Sequence, residues 1–117
     1  MKGKLGDIAR LRHILQYSQD SIDILGELAE EEFLKDYILK LALQKLIENI
    51  GEASARITEE LKQENKQIDW RIIVGIRNIL IHEYFGVDYS TVYYTIKNDF
   101  PKLRRDIEDL INKIENK

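Results

Sequence analysis

The sequence lacks several residue types that common active sites and binding sites need. It contains no cysteine and only two histidines among its 117 residues. The absence of cysteine excludes a disulfide framework, a thiol nucleophile and cysteine-based zinc sites. The chain also has no glycine-rich phosphate loop, no histidine pair at metal-ligand spacing and no serine beside an obvious base. We therefore expect a protein that uses neither a metal ion nor a cofactor.

Long hydrophobic runs are absent as well. No apolar run approaches the roughly 18 residues of a membrane span, and the N-terminal stretch lacks the apolar core of a secretion signal. Hydrophobic residues make up 44% of the chain and charged residues 33%, the ordinary balance of a soluble globular protein. We expect one domain over residues 1–117, located in the cytoplasm and without contact to a membrane.

The spacing of the apolar residues is that of α-helices along the whole chain. A first amphipathic helix is predicted to end near Gly26, and a long central helix with a wide apolar face is predicted over roughly residues 33 to 63. Asp69 and Asp88 are suitable N-caps for two further helices, and Pro101 predicts a kink or the first turn of a fifth helix. The sequence therefore predicts an all-α antiparallel bundle of about four to five helices joined by short loops.

The chain is acidic overall, but its basic residues are unevenly distributed. The net charge is −3, although residues 66–105 carry seven basic residues against four acidic ones. The overall acidity argues against nonspecific binding of nucleic acid across the whole surface, and the local excess marks one region that could attract an anion. Clustering of this size also arises by chance. The basic residues of this region are Lys66, Arg71, Arg77, Lys97, Lys102, Arg104 and Arg105.

One segment in this basic region combines an apolar stripe with polar residues suited to catalysis. The segment G-I-R-N-I-L-I-H-E-Y-F-G, residues 75–86, contains Arg77, Asn78, His82 and Tyr84. Arginine has a planar, permanently charged fork that fits phosphate oxygens, and histidine transfers protons near neutral pH. Together they suit metal-free RNA cleavage, in which one group deprotonates the ribose 2′-OH and a cation stabilises charge on phosphorus. Tyr84 could position a phosphate or stack on a base.

The residue types alone leave a purely structural explanation open. Arg77 could be a solvated charge, His82 a boundary residue and Tyr84 a core aromatic with a solvated hydroxyl. On an ideal helix Arg77 and His82 lie ~140° apart, whereas Asn78 and His82 lie ~40° apart. Arg77 and His82 converge only if the helix loosens near its end or if a second copy of the chain shares the site. The second arrangement predicts a two-fold homodimer with the motif near its axis.

The motif resembles the signature of HEPN-domain ribonucleases, in which an arginine and a polar residue precede a histidine. Arg77, Asn78 and His82 match these positions, and the added Tyr84 is similar to the HepT-like toxin branch. The resemblance covers nearly the whole chain, through L-R-H-I-L near the start, I-G-E-A in the central helix and N-D-F-P-K-L near the end. The block over residues 70–88 is its most specific part.

The resemblance implies a fold, an activity and partners. It implies a homodimer with the motif in a cleft at the interface, acting as a metal-independent endoribonuclease toxin of a type II toxin–antitoxin system on an RNA substrate. Arg77 would hold the scissile phosphate, and His82 would be the general acid or base or a second phosphate contact. Asn78 would orient His82. An MntA-like nucleotidyltransferase antitoxin would add AMP to Tyr84 and could form a larger hetero-oligomer with the chain.

Two other functions are compatible with the sequence. The chain could be a non-catalytic helical subunit that binds a nucleotide or RNA and docks a nucleotidyltransferase. It could also be a dimeric helical scaffold. Metal-free cleavage of RNA that is lost in Arg77→Ala and His82→Ala variants would distinguish the enzyme from both.

Overall fold

Helices make up most of the residues that the structure describes, because apolar residues recur every three to four positions. The computed structural model describes residues 2–81 and 86–116, and the side chains of residues 6–73, 75–76 and 86–116. Within these ranges there are helices and no strand, so the predicted all-α class is confirmed. In chain order the elements are α1 (Lys2–Leu25), α2 (Glu30–Lys35), α3 (Tyr37–Ala55), α4 (Glu59–Glu64), α5 (Trp70–Ile81), α6 (Tyr89–Tyr94), a π-helical turn (Thr95–Asp99) and α7 (Phe100–Glu115).

The long helices α1, α3, α5 and α7 form the predicted bundle around one apolar core. α1 packs against α3 and α7, and α3 also packs against α2, α5 and α6, which makes α3 the central element. Each fully buried aliphatic side chain contributes about 1.5–3 kcal/mol to folding. The core takes Leu11 and Ile14 from α1, Leu43, Ile47 and Ile50 from α3, Ile73 and Ile76 from α5, Val92 from α6, and Leu103 and Ile107 from α7.

The predicted single helix over residues 33 to 63 is wrong, because two capping residues interrupt it. Asp36 has extended backbone angles (φ −96°, ψ 93°), and its carboxylate accepts the Leu39 N–H at 3.0 Å, so it ends α2 and caps α3. Thr58 is also extended, and its Oγ1 accepts the Leu61 N–H at 3.3 Å as the N-cap of α4. A side-chain oxygen that binds a free backbone N–H stabilises a new helix start in place of a continuous helix.

The wide apolar face predicted for the central helix is only partly buried. Its second apolar row, which the spacing predicts at Leu34, Ile38 and Leu41, does not lie in the core as a unit. Ile38 is 74% exposed and Leu41 is 44% exposed, while Leu34 packs against the core. The break at Asp36 separates Leu34 in α2 from the other two residues in α3, so the row no longer lies on one face.

The other predicted boundaries are confirmed. Gly26 follows α1 with φ of 52°, in the left-handed region that favours glycine after a helix. The Asp88 carboxylate accepts a backbone N–H of the first turn of α6 at 3.2 Å. Pro101 lies in the first turn of α7, directly after the π-helical turn. No helix in the described ranges is long and apolar enough to cross a membrane.

A buried carboxylate joins α1 to the segment that follows α3. Asp7 is 4% exposed, and its two oxygens accept the Thr58 N–H at 2.9 Å and the Thr58 hydroxyl at 2.6 Å. A buried carboxylate needs such partners, because an unpaired charge in the interior is costly. This contact places the start of α1 beside the end of α3, so the two helices run antiparallel.

Candidate functional site

The helix that carries the motif has a capped and anchored start. Asp69 accepts the backbone N–H and the Nε–H of Arg71, both at 3.1 Å, which confirms the predicted cap of α5. The hydrogen bond from the Arg71 side chain holds the pKa of Asp69 below its ordinary value. Trp70 Nε1 donates to the Asn65 carbonyl at 3.0 Å. These contacts fix the direction in which α5 runs towards Arg77.

α5 has a buried face and an open face. Ile73 and Ile76 are buried in the core, whereas the Arg71 side chain is 92% exposed. Gly75 lies on the open side, because a Cβ at that position would meet no atom within 4 Å. At ~100° per residue, position 78 falls on the face of Arg71 and Gly75, opposite the buried isoleucines. The backbone of α5 therefore places the Asn78 position on the open side of the helix.

The chain that follows the motif is attached to α3. Gly86 has φ of 78°, in the left-handed region, and lies outside α5 and α6. The Tyr89 hydroxyl donates to Gln44 Oε1 at 2.5 Å, and Lys40 Nζ lies 4.9 Å from the centre of the Tyr89 ring. Burial raises the pKa of Tyr89, so its hydroxyl stays a donor near neutral pH. α5 and α6, which precede and follow the motif residues in the chain, both pack on α3.

The structure describes only two of the four predicted site residues, and these two without their side chains. Arg77 and Asn78 lie in the C-terminal half of α5, and their side chains are outside the described set. His82 and Tyr84 lie outside the described residues. The convergence of the four side chains and the homodimer therefore stay predictions. In the described part of the chain, no three His, Cys, Asp or Glu residues are grouped so that they could hold a metal ion.

The basic excess predicted for residues 66–105 is partly neutralised by ion pairs. Arg71 pairs with the capping carboxylate of α5 at 3.1 Å. Lys102 Nζ lies 2.7 Å from Asp106, and Arg104 lies 3.4 Å from Glu108. The two acidic partners on α7 lie beyond residue 105, so a count along the sequence does not include them. Exposed pairs of this kind contribute only about 0–1 kcal/mol to stability, but they weaken the positive field of the region.

A polar groove between α1 and α3 is a feature that the sequence analysis does not predict. This α1–α3 groove has a volume of about 300 Å³. The residues that line the groove recur every three to four positions on α1 and again on α3. This matching periodicity on two helices is the sequence signal that could have indicated the groove. His13 is exposed there beside Tyr17. The polar lining residues are Arg10, His13 and Tyr17 from α1 and Asn49, Glu52 and Arg56 from α3.

The described helices define the class of the fold, a small all-helical bundle. A family model described as "Ribonuclease HepT-like" matches residues 7–110. The chain belongs to this HepT-like ribonuclease family. The match spans α1 to α7 and includes the segment with Arg77 and His82.

Similar proteins carry names consistent with this family. The chain is 37% identical over 109 residues to "Putative RNase MJ1216" of Methanocaldococcus jannaschii, covering 93% of this chain and 90% of the relative. It is 35% identical over 103 residues to "Putative RNase TTE0752" of Caldanaerobacter subterraneus, covering 88% and 92%. It is 35% identical over 109 residues to "Probable ribonuclease HepT" of Thermococcus cleftensis, covering 93% and 94%. No solved structure matches the chain.

Proposed function

We propose that the protein is a metal-independent endoribonuclease toxin of a type II toxin–antitoxin system, acting in the cytoplasm. The observation that carries this proposal is the family match over residues 7–110, within which Arg77, Asn78, His82 and Tyr84 all have the residue types of the motif. The open face of α5 supports it, because an RNA strand needs access to the end of this helix.

In the proposed reaction the 2′-hydroxyl of the RNA attacks its own backbone. A general base removes the 2′-OH proton, O2′ bonds to the adjacent phosphorus, and the bond from phosphorus to O5′ breaks. The leaving O5′ takes up a proton, so the products are a 2′,3′-cyclic phosphate and a 5′-hydroxyl. His82 supplies the acid or base near neutral pH, and Arg77 stabilises the charge on the phosphoryl oxygens. Asn78, one helical turn before His82, orients the imidazole.

The cleavage assay tests this reaction directly. The purified chain is incubated with single-stranded RNA in EDTA, beside the variants Arg77→Ala, His82→Ala and Lys113→Ala. The last is the matched control, because Lys113 is an exposed cation on α7, outside the basic region of residues 66–105. We expect cleavage to fall at least ~100-fold in the first two variants and to stay unchanged in the control. Cleavage that persists in both motif variants, or that EDTA abolishes, would contradict the proposal. RNA binding without cleavage by the unaltered chain would favour the non-catalytic subunit.

The proposed regulator is an MntA-like nucleotidyltransferase antitoxin that transfers AMP to Tyr84. The adenylyl group would place a bulky anion near Arg77 and His82, where it would occupy the phosphate site and repel RNA. Mass spectrometry of the chain produced together with the nucleotidyltransferase should show one added adenylyl group on Tyr84. A Tyr84→Phe variant should escape neutralisation. A neutralised chain with an unmodified Tyr84 would rule out this mode of regulation.

A further inference from the structure

The α1–α3 groove has chemically different ends. Its orientation follows from the Asp7–Thr58 contact, which joins the start of α1 to the chain just after α3. Arg10 and Arg56 belong to the end nearest this contact, and Tyr17 belongs to the opposite end. Arg10 and Tyr17 are separated by two helical turns, or about 10.5 Å along the axis. The groove is therefore cationic at one end and aromatic at the other.

The cationic end contains two arginine side chains whose guanidinium N–H groups have few partners among the described side chains. Among the described side chains, no carboxylate lies within 4.0 Å of the Arg10 guanidinium. This guanidinium lies across Gly6, where a Cβ would collide with Nη1. Among the described side chains Arg56 has one ion-pair partner, Glu52, at 3.9 Å and with both side chains largely exposed. Two guanidinium groups on facing helices with so few ion-pair partners suit a phosphate, because a phosphate accepts several charge-assisted hydrogen bonds.

The aromatic end contains the rings of His13 and Tyr17 and the side-chain amide of Asn49. The rings of His13 and Tyr17 lie 6.0 Å apart, inclined by 37°. The side chains of His13, Tyr17 and Asn49 make no hydrogen bond within the described part of the chain. Nucleobases in single strands are bound by stacking on such rings and by hydrogen bonds to their edges. This end of the groove therefore suits a base.

We propose that the α1–α3 groove binds one nucleotide of a single-stranded RNA, with the phosphate between Arg10 and Arg56 and the base against Tyr17 and His13. The volume of about 300 Å³ is at the lower end of the range for small-ligand sites and excludes a duplex. The Glu52 carboxylate beside Arg56 partly neutralises the cationic end, so Arg10 supplies the larger share of its positive charge.

The choice of RNA as the source of this nucleotide rests on the proposed function. α3 forms one wall of the groove and also packs against α5, the helix that carries Arg77. A strand held in the groove is thereby bound on a helix adjacent to the motif helix. The groove would increase the affinity for RNA without taking part in the bond-breaking step.

A binding assay with an RNA that cannot be cleaved tests this site. The probe is a fluorescent single-stranded 2′-O-methyl oligonucleotide, whose blocked 2′-oxygen cannot attack phosphorus, and binding is measured by fluorescence anisotropy at several salt concentrations. The variants are Arg10→Gln and Arg56→Gln. Arg12→Gln is the matched control, because Arg12 lies on α1 and pairs with Glu115 on α7, away from the groove lining. It removes the same charge from the same helix as Arg10→Gln.

The loss of one phosphate contact should change both the affinity for the oligonucleotide and its salt dependence by an amount that can be estimated. Each groove variant should bind the oligonucleotide roughly tenfold more weakly. Its slope of log affinity against log salt should fall by ~0.7. Arg12→Gln should match the unaltered chain in both. Arg56 is exposed, and Arg10 has no ion pair with a described side chain, so both variants should fold, and their melting temperatures check this.

The outcomes separate this inference from the proposed function. Equal binding by the unaltered chain, Arg10→Gln and Arg56→Gln overturns the groove site, whether or not unmodified RNA is cleaved. Groove-dependent binding by a chain that cleaves no RNA supports the groove and contradicts only the proposed function. A parallel calorimetric titration with AMP shows whether the ligand of the groove is RNA or a free nucleotide. AMP binding that depends on Arg10 and Arg56, with oligonucleotide binding unaffected, overturns RNA as the ligand in favour of a free nucleotide.

Discussion

At the scale of single residues, two glycines near the motif have opposite structural roles. Gly75 lies in the middle of α5, where a Cβ would meet nothing within 4 Å. A glycine inside a helix costs ~1 kcal/mol relative to alanine, and nothing that the structure describes around Gly75 offsets this cost. Gly86 has φ of 78°, a conformation that residues with a Cβ rarely adopt. Gly86 is therefore required by the left-handed backbone conformation at its position, whereas Gly75 leaves the surface of α5 open.

Alanine at these two positions should change stability in opposite directions. Gly75→Ala should raise the free energy of unfolding by up to ~1 kcal/mol, because alanine favours the helix and its Cβ meets open space. Gly86→Ala should lower it by about 1–2 kcal/mol through the left-handed backbone. Urea denaturation measures both. A destabilised Gly75→Ala variant would show that this face of α5 is packed, and reduced RNA cleavage in a stabilised one would indicate that substrate or a second chain approaches it.

Single residues also show how much of the site the sequence reveals. Arg77 and His82 are predicted as site residues because their spacing resembles the HEPN signature, whereas their residue types alone leave a structural explanation open. Arg10 and Arg56 are not recognisable, because each resembles an ordinary solvated arginine. Only the packing of α1 on α3 places them at one end of a groove. The motif is therefore predicted from a short segment that resembles a family signature, while the groove depends on residues such as Arg10 and Arg56, which lie far apart in the chain.

At the scale of helices, the starts were predictable where a capping residue follows a loop, as at Asp69 and Asp88. The breaks at Asp36 and Thr58 were not predictable, because the apolar spacing continues across both positions. Thr58 is held by Asp7, a partner 51 residues away that local sequence does not indicate. The fold class thus follows from periodicity, whereas the division of the central helix follows from caps and one distant contact.

The cap of α5 should make stability depend on pH. The pKa of Asp69 is lowered, first by its hydrogen bond with the Arg71 side chain, from an ordinary value of 3.8. A lowered folded-state pKa stabilises the fold above the unfolded-state value, and this contribution is lost as the pH falls below 3.8. The melting temperature of the unaltered chain should exceed that of Asp69→Asn at neutral pH, and the difference should shrink in acid. Asp109→Asn, which removes the same charge at an exposed position on α7, is the matched control.

The contact between Asp7 and Thr58 should behave as a coupled pair. Asp7→Ala leaves the Thr58 N–H without its partner, which should cost about 1–3 kcal/mol. Thr58→Val removes only the hydroxyl. A double-mutant cycle measured by urea denaturation should give a coupling energy of about 0.5–3 kcal/mol. Strictly additive effects would mean that the contact does not join α1 to the start of α4.

At the scale of the whole molecule, the proposed homodimer can be tested by mixing inactive chains. If each site combines Arg77 of one chain with His82 of the other, a heterodimer of Arg77→Ala and His82→Ala contains one intact site. Random reassociation of equal amounts after denaturation should therefore restore about a quarter of the original cleavage rate. A mixture as inactive as its two components would place Arg77 and His82 of each site in the same chain.

The packing of α1 on α7 has a consequence for when the enzyme appears during its synthesis. These are the first and last helices described, and the ion pair of Arg12 with Glu115 joins them near the C-terminal end of α7. Leu11 and Ile14 of α1 share one core with Leu103 and Ile107 of α7. A growing chain therefore carries an unfinished core until the ribosome has translated α7. For an enzyme that cuts RNA, this order of events delays the folded state until the codons of α7 have been translated.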